Sequence, residues 1–334
     1  MKHPPYHLRP FKSVDRVMLI EVLRRMEAGF RLGEFVYYGL GGPFLEDIRL
    51  LTLYYPHMKK VSIEKNEETL KRQRFHQPSK KTVIHGSDLT GFIANYHVEE
   101  KSIFWLDYTD LRYAWFADFM SLLPRVDPYS VVKLTLRAAD NEDAAPEYAR
   151  RLSADMAIDD ETIKKLEDAH VKKFRDEYAA ICPEEMDYSS FRNRNYVLLL
   201  HEMTRIAASK ALPVAGGFTF QVVNACYYTD STRMYSCTGI KCPSGKVRDI
   251  QKLFRGWRFA NLNWAEPEHI DVPLLSMKER LRLEPLLPCL TATGRGLARA
   301  LGYRIDEDNS ASVRRLKQYA DFHAYLPHFI RATP

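Results

Sequence analysis

The first 140 residues alternate short apolar runs with amphipathic segments, and few folds accept that order. The runs are Phe35–Tyr38, Lys59–Lys65 (KKVSIEK), Lys81–Leu89 (KTVIHGSDL), Lys101–Asp110 (KSIFWLDYTD) and Tyr129–Ala138 (YSVVKLTLRA). Between them lie helical patterns: PFLEDIRLLTLYY, with Pro43 tolerable in an opening turn, a charged segment from Asn66 to Phe75, and RYAWFADFMSLL. Strands separated by helices predict a doubly wound, mostly parallel α/β sheet. Unbroken apolar runs such as SIFWL and SVVKLTL suit strands covered on both faces.

At 334 residues the chain exceeds one ordinary domain. Residues 1–34 read as an N-terminal helical segment, with Ser13 capping a helix whose apolar positions are Val14, Met18, Leu19, Val22, Leu23 and Met26. Residues 35–240 read as the core. It is interrupted over 141–212 by a charged helical insertion whose clearest piece is DDETIKKLEDAHVKKFRDEYAAI. Two β-rich runs, GGFTFQVVNACYY and RMYSCTGIK, joined by TDST, predict an antiparallel hairpin that closes the sheet. Residues 241–334, broken by prolines, read as a helical C-terminal lobe.

Composition narrows the function classes. No run of eighteen apolar residues exists, which excludes a conventional membrane-spanning helix. The polar, proline-containing start MKHPPYHLRPFKSVDR is unlike a secretory signal, so the expected location is the cytoplasm. Five cysteines without a C-x-x-C make no zinc set, and the histidines show no ligand spacing. A net charge of +6 permits an anionic partner without requiring one. The segment KCPSGKVRDIQKLFRGWRF interleaves Lys246, Arg248, Lys252, Arg255 and Arg258 with Phe254, Trp257 and Phe259. It reads either as a surface that follows phosphates and stacks bases, or as a helix whose aromatics enter the core.

Ligands of an open parallel sheet sit at the carboxyl ends of its strands. After strand one comes the turn with Gly39, Gly41 and Gly42; after strand two, Glu64; after strand three, Asp88; after strand four, Asp107, Tyr108 and Asp110; after strand five, Asp140 and Asn141. Glycines let a backbone approach a ligand closely. Glu64 follows them at about the distance at which an acid holds a ribose diol. Asp88 suits either a purine amine or the cap of the next helix.

That order of glycines and acids resembles the class I S-adenosylmethionine-dependent methyltransferases, which also end their Rossmann-like sheet in an antiparallel hairpin. The resemblance implies that Tyr38, Gly39, Gly41 and Gly42 carry the methionine part of S-adenosylmethionine, Glu64 the ribose and Asp88 the adenine. More narrowly, YHLRPFKSVDR, YYGLGGPFLEDIRLL and VSIEKNEETLKRQRFHQP resemble a bacterial family named as O-methyltransferases. One position departs: the acid expected two residues before the first glycine is Tyr37. This departure implies weaker cofactor binding, an amino group held by backbone carbonyls instead, or a scaffold without catalysis.

For the acceptor, adenine-N6 methyltransferases carry an acid or asparagine, two prolines and an aromatic after strand four. Asp107 and Tyr108 match part of that pattern, and the prolines are missing. Catechol O-methyltransferase-like enzymes hold Mg²⁺ with residues at the positions of Asp107, Asp140 and Asn141, although Asp140 or Asn141 also suits a helix cap. Without metal, Asp107 or Asp110 is the expected general base, with Tyr108 packed against the acceptor. The expectation is S-adenosylmethionine-dependent O-methylation of a small or nucleotide-like acceptor. Its alternative is a non-catalytic or base-methylating nucleic-acid-binding protein on the same scaffold. The closing hairpin and the incomplete glycine fingerprint disfavour an NAD-dependent oxidoreductase.

Overall fold

The computed structural model describes residues 10–97, 100–138, 159–287 and 293–326. Its described residues contain eight strands and eleven helices, and the chain packs as two compact units. The larger comprises Val22–Tyr227 and Thr232–Glu268; the smaller comprises Met1–Glu21, Tyr228–Ser231 and His269–Pro334.

Helix α1 spans Pro10–Met26. Ser13 lies inside it, so the expected cap at Ser13 is corrected. Its first-turn amides are satisfied from elsewhere: Phe11 and Lys12 donate to the two carboxylate oxygens of Asp230, at 3.3 and 3.1 Å. Strand β1 (Val36–Gly39) then leads into helix α2 (Glu46–Tyr54). Pro43 is not in that helix's opening turn. The chain reverses first, and Leu45 at φ 54° occupies the N-cap.

The alternation continues as β2 (Lys59–Glu64), α3 (Glu67–His76), β3 (Thr82–Gly86), α4 (Leu89–Ala94), β4 (Ser102–Asp107), α5 (Tyr113–Arg125) and β5 (Val131–Arg137). Helices α6 (Asp160–Glu177) and α7 (Asn193–Ala211) follow, and α7 packs on α5. The hairpin is β6 (Phe218–Thr229) and β7 (Arg233–Pro243); helix α8 spans Val247–Leu253, and β8 spans Glu268–Ile270.

The sheet order is β3-β2-β1-β4-β5-β7-β6-β8. Strands β1 to β5 pair in parallel. Strand β7 runs antiparallel to β5, from Val131 opposite Ile240 to Arg137 opposite Met234. Chain order therefore reverses between β1 and β4, where a parallel sheet opens a crevice. β1 and β5 are covered on both faces: the adjacent residues Tyr37 and Tyr38, and Val131 and Val132, point to opposite faces and all are buried. Tyr38 stacks on Phe104 with ring centres 4.5 Å apart, and Tyr96 meets both rings edge-on.

The smaller unit includes helices α9 (Met277–Leu283), α10 (Gly294–Leu301) and α11 (Asn309–Phe322). Each has a side-chain N-cap: Ser276 with Glu279 in a capping box, Thr293, and Asp308. Gly294 lets α10 meet α11 closely, since a Cβ there would lie 1.9 Å from the Val313 carbonyl oxygen. Arg315 joins Asp306 at 3.1 Å and Asp271 at 3.6 Å.

Candidate active site

Side chains alternate across a strand, so Tyr37 and Gly39 share one face of β1. Tyr37 is fully buried and lies across Gly39: a Cβ at Gly39 would sit 2.4 Å from the Tyr37 hydroxyl oxygen. That phenol donates to Asp47 in the first turn of α2. Where the resemblance calls for an acid, the strand thus carries a phenol tied to a carboxylate delivered from the helix. Tyr38 points to the other face, into the aromatic core.

The turn after Gly39 is built from within. Gly41 has φ +64°, and a Cβ there would lie 2.6 Å from Leu45 and 2.7 Å from the Ser62 hydroxyl. Gln73 of α3, fully buried, donates from Nε2 to the carbonyls of Leu40 (3.1 Å) and Gly42 (2.9 Å). Its Oε1 accepts the Ser62 hydroxyl at 3.0 Å, so most of its hydrogen-bonding capacity is used to hold the turn. Neither Ser62 nor Gln73 stands out in the sequence. Gln73 sits in a charged helical segment, and its partners are 31 and 33 residues away.

Register sets the other groups relative to this turn. Gly39 pairs with Ser62 of β2 and with Trp105 of β4. Glu64 ends β2 and accepts the Asn66 amide on Oε1 at 2.8 Å, while its backbone carbonyl accepts the Ser87 amide at 3.1 Å. Asp88 caps α4 through Oδ1 and the Gly91 amide at 2.8 Å. Asp107 is half-buried at the end of β4.

The residues after Asp107 divide inward and outward. Tyr108 is buried, stacks on Trp115 at 4.3 Å, and donates its hydroxyl to Asp118 of α5 at 2.7 Å. Burial, reinforced by the Asp118 carboxylate, raises its pKa far above the ordinary phenol range. The expected Tyr108 surface beside an acceptor is therefore corrected: this ring belongs to the core. Asp110 accepts Trp115 Nε1 on one oxygen and Arg112 Nε on the other, both at 2.7 Å. Trp115, like Tyr113, is partly exposed, and its indole N–H is held by Asp110. Tyr178, just past α6, packs edge-on against Tyr113 and Phe116, with ring centres 6.3 Å away. Burial foremost, then the Glu177 carboxylate, raises its pKa.

Asp118 is a buried carboxylate of the same region. Its Oδ2 accepts both Tyr108 and, at 2.9 Å, Thr90 of α4. Burial raises its pKa, the two hydroxyl donors lower it, and the Asp88 charge raises it further.

The remaining expectations resolve individually. Asp140 and Asn141 lie outside the described residues, and among the described residues no group of three His, Cys, Asp or Glu is placed to hold a metal. Phe254, Trp257 and Phe259 are buried, while Lys246, Arg248, Lys252, Arg255 and Arg258 are exposed. Of the two readings of this segment, the structure has the one whose aromatics enter the core; Asp249 also pairs with Lys246 and Lys252. Cys182, Cys237 and Cys242 are free thiols; burial pushes Cys237 up to about 12 and Cys242 up to about 11. No described helix is long and apolar enough to cross a membrane.

No curated protein matches the sequence. Solved structures resemble it at low identity. Trm1 from Pyrococcus horikoshii, in complex with S-adenosyl-L-methionine, is 11% identical over 75% of this chain, with a TM-score of 0.45. This chain spans 61% of that structure's length. The plantazolicin methyltransferase BpumL, in complex with SAH, is 9% identical over 68% of this chain and 84% of its own, with a TM-score of 0.39. An O-methyltransferase family protein from Burkholderia thailandensis is 7% identical over 70% and 59%, with a TM-score of 0.34. Residues 4–334 match the sequence model of the family described as "Putative O-methyltransferase". The chain belongs to that family.

Proposed function

We propose that the chain methylates an oxygen of a small or nucleotide-like acceptor, at the carboxyl ends of β1 to β4. The observation that carries this reading is the glycine turn at the switch in strand order, with its carbonyls drawn inward by Gln73 and with Glu64, Asp88 and Asp107 on the next strand ends.

The donor set fits S-adenosylmethionine. Gln73 holds the Leu40 and Gly42 carbonyls, so the shape of the turn that would carry the methionine part is set by the chain's own hydrogen bonds. Glu64 spends Oε1 on Asn66 and has a second carboxylate oxygen for the ribose diol. Asp88, held by its cap, stands at the adenine end. When bound, the cofactor supplies an electrophilic methyl group on a sulfonium. The chain's own part is to position the acceptor and receive its proton. Asp107 is the base in this reading, and Asp110 fixes Trp115 as a wall of the acceptor site. Tyr37 with Asp47 stands in for the missing acid near the amino group.

Titration calorimetry with S-adenosylmethionine and S-adenosylhomocysteine tests the reading. Both are expected to bind, and Glu64→Ala is expected to weaken each about tenfold or more, the scale of a hydrogen bond to a charged group. Absence of binding by both ligands overturns it.

A further inference from the structure

Four contacts run without interruption from the proposed adenine end to the proposed acceptor end. Thr90 lies in the first turn of α4, two residues after Asp88, and donates to Asp118 Oδ2 at 2.9 Å. Tyr108, the residue after Asp107, donates to the same oxygen at 2.7 Å. The Tyr108 ring lies flat on Trp115, 11° from parallel, and Trp115 donates to Asp110 at 2.7 Å. Asp118 is 4% exposed, so its two donors are not readily exchanged for water.

A buried carboxylate is costly to keep in a core unless its donors satisfy it. An apolar residue at position 118 would fill the space between α4 and α5 at lower cost. The carboxylate instead makes the position of α4's first turn and that of the Tyr108 ring depend on one oxygen atom. Displacing either donor leaves the other to carry the oxygen alone, so the two positions are energetically linked.

We propose that Asp118 is a positioning residue that couples the two ends of the site, so that filling the adenine end orders the loop of residues 108–112 for the acceptor. The proposal rests on the S-adenosylmethionine reading above. Cofactor contact at Asp88 steadies α4, Thr90 keeps Asp118 in place, and Asp118 holds Tyr108 and through it Trp115 and Asp110. The cofactor is then expected to prepare the acceptor wall before any acceptor arrives.

Hydrogen–deuterium exchange of the full chain, with and without S-adenosylmethionine as the probe, reads this coupling without an identified acceptor. In the native chain the cofactor is expected to slow exchange of the amides of residues 109–112 by about tenfold, within the usual range of site-to-site coupling. Thr90→Val and Tyr108→Phe each remove one hydroxyl and are expected to lose that protection. Exchange in each variant is read at saturating S-adenosylmethionine, with binding verified by calorimetry, so that lost protection is not mistaken for lost binding; by reciprocity Tyr108→Phe weakens the cofactor by at most about the same tenfold. Asp118→Ala is expected to lose the protection as well, and Asp118→Asn, which keeps an accepting oxygen, to retain it. If Asp118→Ala does not fold, the two single-hydroxyl variants still decide. Protection equal to the native chain's in both Thr90→Val and Tyr108→Phe overturns the coupling. So does cofactor binding that leaves residues 109–112 unprotected in the native chain. Failure of the native chain to bind the cofactor instead removes the reading on which the coupling stands.

Discussion

Lys60 shows how a single side chain can be placed against its chemistry. It is fully buried in β2, where its ammonium donates to the carbonyls of Tyr55 at 2.6 Å and Met58 at 2.9 Å. Burial, with repulsion from Lys81 second, lowers its pKa from 10.5 to about 8. Between those values the unfolded chain binds the proton and the folded chain does not, so stability rises with pH across the interval from 8 to 10.5. Lys60→Met is expected to flatten that rise, measured as the midpoint of thermal unfolding against pH. An unchanged slope in the variant would place the titration elsewhere. Gly39 is constrained in the opposite way, by absence: the Tyr37 phenol occupies the volume a side chain would need.

Among elements, the segment following β7 shows a composition that leaves a functional and a structural reading open until burial decides between them. Its cations and aromatics alternate as in a nucleic-acid surface, yet Phe254 and Trp257 lie with ring centres 6.2 Å apart inside the larger unit, and Phe259 lies 6.3 Å from Trp257. The Arg25 guanidinium lies over the Trp257 ring, 5.4 Å from its centre. Trp257→Ala is expected to cost about 3–5 kcal/mol of stability, the usual range for emptying a buried aromatic site, as measured by chemical denaturation. A variant of native stability with altered affinity for nucleic acid would return the segment to the surface. Helix α4 makes a related point: its Asp88 cap and its Thr90 hydroxyl give six residues two anchors that helix propensity alone does not supply.

For the molecule as a whole, division into two units predicts separable effects. The smaller unit has its own buried set, including Leu283, Leu297, Leu316, Tyr319 and Phe322, and its tightest contact is Gly294 against Val313. Gly294→Ala is expected to push α10 off α11 and to cost about 1–3 kcal/mol or more, since backbone cannot yield as a side-chain end can. Scanning calorimetry is expected to show the loss, while affinity for S-adenosylmethionine stays at the native value, because the glycine turn belongs to the larger unit. A parallel loss of cofactor affinity would mean that the turn's geometry depends on the smaller unit's packing.

The alternation of five strands with helices, the closing hairpin and the glycine turn were legible in the residues, because periodicity and turn chemistry act over fewer than about ten neighbours. So was membership of a methyltransferase family, carried by the order of Gly39, Glu64 and Asp88 along the chain. Sequence could not tell which way Tyr108 faces: it reads as an exposed acceptor contact until α5 brings Asp118 within 2.7 Å. It also hid Gln73, whose carbonyl partners are 31 and 33 residues distant, and the link from Thr90 to Asp118 across 28. Local pattern governs which elements form. Long-range packing then governs which polar atoms meet, because a buried donor or acceptor is satisfied by whatever the fold places beside it.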